Sequence, residues 1–128
     1  MTHFPESLKV GIESIDRRHE EFWELFENLK SASDDTFSAA FEGLIAHTKE
    51  HFAEEESDMS HLDYPNHKEH VAEHQKALDE MGYFLQKAQS GRLMFAKAYA
   101  RDRLGDWFRN HLLNMDSDLA RVIVLSAR

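Results

Sequence analysis

Nine histidines in 128 residues, with no cysteine at all, give this chain an imidazole excess that calls for a use. His51 and Glu55 stand four apart, and so do His70 and His74. On a helix each pair lies one turn apart on a single face, where both side chains can grip neighbouring points. His19 and His111 come singly from other segments. Asp116 follows His111 by five, a spacing that leaves the ideal stripe unless the helix widens locally into a π-type turn. Imidazole and carboxylate without thiolate suit iron, copper, nickel or zinc. The lack of cysteine removes disulfides, zinc–thiolate sites and iron–sulfur clusters together.

Four segments of helical periodicity, separated by short stretches of turn chemistry, carry these residues. The first helix is expected from about Glu13 to Ala32, with Ile15, His19, Phe22, Phe26 and Leu29 on one face and Trp23 widening it. Ser33, Asp34 and Asp35 break the pattern, and either aspartate can cap the next helix. That helix is expected from about Thr36 to Leu62, with Phe37, Phe41, Leu44, Thr48, His51, Phe52, Glu55 and Met59 inward. Asp63, Tyr64 and Pro65 form a turn. The third runs from about Asn66 to Gln89, presenting His70, His74, Ala77, Leu78, Met81 and Leu85, and Ser90 and Gly91 end it. The fourth runs from about Leu93 to Leu125, with Leu104, Trp107, Phe108, His111, Met115, Leu119 and Val122 inward and Gly105 marking a close approach or a bend. Short connections imply antiparallel neighbours: an all-α, up-down-up-down four-helix bundle, a single domain over residues 1–128. An extended N-terminal arm containing Phe4, Pro5 and Val10 is expected to cross it.

An inner stripe should be apolar, yet all four helices place histidine or carboxylate on it near mid-length. Burying ionisable groups costs several kcal/mol apiece unless they are paired or hold a metal. One core histidine is unremarkable, whereas seven converging groups point to a metal centre. The surroundings are ordinary: 41% hydrophobic and 30% charged residues make a globular composition. The formal net charge of −9, with basic residues scattered among acidic ones, argues against a nucleic-acid or membrane partner. No apolar run approaches membrane-spanning length, and the start lacks the pattern of a secretory signal, so the cytoplasm is the expected compartment.

Taken in order, these residues resemble the hemerythrins, in particular the single-domain bacterial ones. The resemblance rests on Val10-Gly11-Ile12 followed by Ile15-Asp16 and His19, then His51-Phe52-Ala53-Glu54-Glu55, then Tyr64-Pro65 leading to His70 and His74. It closes with Trp107, His111 and Asp116. It implies a non-heme pair of iron ions with an oxo or hydroxo bridge. His70, His74 and His111 would ligate one iron and His19 and His51 the other, with Glu55 and Asp116 spanning both. The second iron then keeps one open position, and the implied function is reversible binding of dioxygen for storage, delivery or sensing, with no catalytic residues. Phe108, Trp107, Leu112 and Phe22 are expected to line the ligand pocket. Two positions depart from the family pattern: Arg18 stands where glutamine is usual and Phe108 where leucine is usual. The first bears on local hydrogen bonding, the second on ligand entry and residence.

The remaining candidates have plainer readings. His3 and His61 are expected at the surface, His47 and His67 beside the cluster or at the surface, and Glu54 and Glu56 in solvent. The rival function is a di-iron oxidase or peroxidase. Oxygen-activating bundles of that kind use four carboxylates and paired Glu-x-x-His motifs, and no Glu-x-x-His occurs in this chain. The histidine-rich set therefore favours reversible binding, with weak peroxide turnover as a side activity. A closed structural zinc site needs only four ligands, fewer than this set supplies.

Overall fold

The computed structural model describes residues 4–126. Three long helices, α1 (Glu13–Ser31), α2 (Phe37–His61) and α3 (His67–Gln89), precede a fourth helical run, α4. Five contiguous stretches make up α4: Leu93–Tyr99, Ala100–Leu104, Gly105–His111, Leu112–Asp116 and Ser117–Ser126. The second and fourth of these are π-helical. Among the described residues there is no strand, and α1 packs on α2, α2 on α3, and α4 on both α3 and α1. The result is the expected four-helix bundle.

Local chemistry sets the ends of the helices. Gly91, at φ 91°, follows the last turn of α3, and the Arg92 N–H returns to the Lys87 carbonyl at 2.8 Å, the long bond of a Schellman cap. The same motif ends α2 with Asp63 in the left-handed position, at φ 49°, and the Tyr64 N–H on the Met59 carbonyl at 3.1 Å. Neither Asp34 nor Asp35 caps α2. Its entry is a turn in which Thr36 and Phe37 N–H groups bond the Ser33 carbonyl, and Asp34 instead pairs with Lys97 across the bundle.

The N-terminal arm is only partly extended, because Glu6–Leu8 close one 3-10 turn. Leu8 is buried, and the Phe4 ring meets Trp23 edge-on at 6.0 Å. Asp16 anchors the arm by accepting hydrogen bonds from the Val10 and Gly11 N–H groups at 2.8 and 3.1 Å. The inward faces of α1 and α2 follow their 3.6-residue period closely. The face of α4 does so only in part: Leu104, Phe108, His111 and Leu119 are buried as expected, Tyr99, Ala100 and Leu112 are buried besides, and Trp107, Met115 and Val122 are only partly so. Each π stretch adds a residue to a turn and rotates everything beyond it, so a stripe drawn at one constant period drifts off the buried face. Gly105 of α4 faces the Phe26 ring of α1. A Cβ there would lie 2.9 Å from Phe26 Cζ, so the close approach requires glycine.

At the far end, Tyr64 packs with Met59 and Leu119 in a small second core, and its hydroxyl donates to Asp118. Burial, then the Asp118 carboxylate, push the Tyr64 hydroxyl up to about 12.

Candidate metal centre

The five groups Glu55, His70, His74, His111 and Asp116 bring one ligand atom each to within 4.8 Å of all the others, and every one of these residues is buried. Glu55 descends from the same face of α2 as Phe41, Leu44 and Thr48. His70 and His74 come from the first two turns of α3. The π turn at Leu112–Asp116 supplies the extra residue that swings Asp116 back onto the face of His111, as the five-residue spacing requires.

The distances describe a cage around a common point. His70 Nε2 lies 2.8 Å from Glu55 Oε1, 3.0 Å from Asp116 Oδ1 and 3.2 Å from His111 Nε2, and His74 Nε2 lies 3.1 Å from Glu55 Oε1. Asp116 divides its two oxygens. Oδ1 faces His70 and His111, whereas Oδ2 faces His19 Nε2 at 3.0 Å. One carboxylate thus faces His70 and His111 with one oxygen and His19 with the other.

Hydrogen bonding alone leaves this arrangement unsatisfied. Both nitrogens of His19, Nδ1 of His70 and of His111, and Oδ1 of Asp116 are buried without an aligned hydrogen-bond partner. Buried polar atoms are otherwise almost always paired, so the two of these that face the cage, His19 Nε2 and Asp116 Oδ1, mark a place for an ion. His74 is oriented for one: with Nδ1 donating to Glu56 Oε2 at 2.9 Å, its Nε2 keeps a lone pair for the cage. The electrostatics agree. Burial works against charging His70, but Asp116 and Glu55 outweigh it and raise that imidazole to about 9. Burial likewise works to raise Asp116, but His111, His19 and His70 hold it well below the usual carboxylate range. A cation is what this pocket favours.

The hemerythrin model, described as the hemerythrin HHE cation binding domain, matches residues 10–123. The chain belongs to the hemerythrin family. A bacteriohemerythrin of Ralstonia nicotianae is 32% identical over 111 residues, which cover 87% of this chain and 80% of that relative. No solved structure gives a significant match.

Beside the cage of this hemerythrin-family chain lies a cavity of about 20 Å³, walled by His19, Phe22, Thr48, His51, Phe52, Glu55, Trp107, Phe108, His111 and Asp116, with Arg18 at its edge. Phe108 stacks on Phe22 at 4.2 Å and meets His19 edge-on at 5.7 Å. Trp107 stacks on His111 at 4.8 Å. Leu112 does not reach this wall and is fully buried in the apolar core instead. His51 stands apart from the five-group cluster. It lines the cavity, but its Nε2 is 2.9 Å from Glu21 Oε2.

Several of the plainer expectations change. Glu56 is not merely solvated, since it orients His74, and Glu54 takes the Arg18 Nε at 2.8 Å while Asp58 takes its terminal nitrogens at 3.4 Å. Arg18 in the glutamine position is thereby held at the cavity edge by two acids of α2. The signal for Glu56 was available in principle: a ligating histidine needs a carboxylate or carbonyl on its other nitrogen, and Glu56 is one residue beyond Glu55. His47 and His61 are exposed, as expected for surface residues, and His67 is half-buried at the start of α3. His3 lies outside the described residues.

Proposed function

We propose that this chain binds dioxygen reversibly at a pair of iron ions linked by an oxo or hydroxo bridge. In this reading His70, His74 and His111 hold one ion, His19 and His51 the other, and Glu55 and Asp116 span both. The observation that carries it is the convergence of buried, unpaired imidazole and carboxylate atoms beside a small aromatic-walled cavity, with the two Asp116 oxygens facing different histidines. The place of His51 rests on the family resemblance and on its position in the cavity wall.

Ferrous iron held by these residues would supply the redox chemistry that reversible binding of a diatomic oxygen ligand needs. The protein's share is to shape and dry the space where that happens. Phe22, Phe108, Phe52 and Trp107 give the cavity an apolar wall, which excludes water and the protons it carries. Glu56 keeps His74 in one orientation and tautomer. The absence of Glu-x-x-His pairs and the majority of nitrogen donors favour this role over an oxidase or peroxidase.

The test is optical. Protein loaded anaerobically with ferrous iron should contain about two irons per chain. It should gain a visible band on admission of air and lose it under vacuum, over repeated cycles. A band that bleaches irreversibly in the first cycle, with turnover of a reducing substrate, would instead make the chain an oxidase.

A further inference from the structure

A second group of metal-binding side chains lies outside the buried cage. His47 and His51 stand one turn apart on α2, with ring centroids 5.4 Å apart, and Glu21 reaches them from the adjacent helix α1. Glu21 Oε2 is 2.9 Å from His51 Nε2 and 3.9 Å from His47 Nδ1, and the three ligand atoms lie within 4.8 Å of one another. We propose that Glu21, His47 and His51 form a surface capture site for a divalent first-row transition metal ion, from which the ion passes inward to the buried cage. The inference rests on the reading of that cage as an iron centre.

Two imidazoles and one carboxylate form a donor set that iron, zinc, nickel or copper accepts, with water completing the coordination. Exposure falls along the trio from outside to inside: the side chains of His47 and Glu21 are 46% and 44% exposed, that of His51 only 13%. His51 is also in the wall of the cavity that His19, Glu55 and Asp116 line, so one residue belongs to both places. The cage donors themselves are buried, and a hydrated ion reaching them must shed its water. A half-exposed site with three protein ligands lets that happen in two stages rather than one. A net charge of −9 draws cations toward the protein as a whole.

The experiment measures iron uptake rather than oxygen binding. Metal-free full-length chain is mixed anaerobically with ferrous ion at a few micromolar, quenched with a chelator at set times, and the iron retained per chain is counted. His47→Ala and Glu21→Gln should each slow retention at least about tenfold, the usual scale for losing a metal-supporting contact. His47→Asp, which keeps a ligand, should load at close to the parent rate. All variants should reach the parent's final iron content and helical circular dichroism. Uptake by His47→Ala and Glu21→Gln at the parent rate overturns the proposal. So does a lowered final iron content in His47→Ala, since the trio would then hold the buried centre together rather than feed it. A parent chain that retains no iron would refute the iron centre itself, a separate failure.

Discussion

Truncating Phe108 tests whether the aromatic wall protects the proposed oxygen site. The ring is 4% exposed, stacked on Phe22 and edge-on to His19, so Phe108→Ala removes a fully packed side chain from the side of the cavity. Loss of a buried phenyl ring costs about 3–5 kcal/mol. That is a large part of the roughly 5–15 kcal/mol that holds a domain together, and corresponds to a drop in Tm of roughly 10–20 °C. The variant should therefore remain folded at low temperature. The cavity of about 20 Å³ has room for about one water-sized molecule. Removing the ring adds on the order of 100 Å³, and with His19, Glu55 and Asp116 on its walls that space is polar enough to hold water. Water and protons at the site promote irreversible loss of bound oxygen with oxidation of the iron. The assay is decay, in air at fixed pH and 10 °C, of the absorption band that appears on oxygenation. Phe108→Ala should decay faster than the parent, and Phe108→Leu, which keeps most of the apolar volume, should change much less. If the alanine variant is folded and iron-loaded yet decays no faster, the ring does not guard the site.

Glu55→Ala and Asp116→Ala should each lose most of the bound iron, because Glu55 contacts His70 and His74 and Asp116 contacts His19, His70 and His111; metal analysis after dialysis decides, and full loading of both would refute their assignment. Glu56→Gln leaves the cage donors in place but weakens the hold on His74, so iron affinity should fall about 10–100-fold in a chelator competition. Gly105→Ala places a methyl 2.9 Å from the buried Phe26 ring and should destabilise the fold by about 1–3 kcal/mol in urea titration despite alanine's better helix propensity. Asp63→Gly should do the reverse. It relieves a left-handed backbone at φ 49° and removes a negative charge from the C-terminal end of α2, for a gain on the order of 1 kcal/mol in the same assay.

The four helices and most of the cage were legible in the sequence. The 3.6-residue period is a local property, and it was broken by ionisable residues at the very positions that the bundle buries. The five-residue step from His111 to Asp116 even indicated the π turn at Leu112–Asp116, because two ligands on one face at that spacing need an added residue between them. The other π stretch, Ala100–Leu104, has no such pair to betray it, and three residues of the expected inward face of α4, Trp107, Met115 and Val122, are only partly buried. Contacts between helices were the other hidden part. Whether Glu56 turns to His74, whether Glu21 engages His51, and whether Arg18 is held by Glu54 and Asp58 all depend on how far each helix is rotated about its axis. A rotation of a few tens of degrees moves a carboxylate from solvent to a neighbouring imidazole without altering any spacing along the chain. That rotation is set by the packing of Phe22, Phe26, Phe52, Phe108 and their neighbours in the common core, so it exists only once the four helices are together.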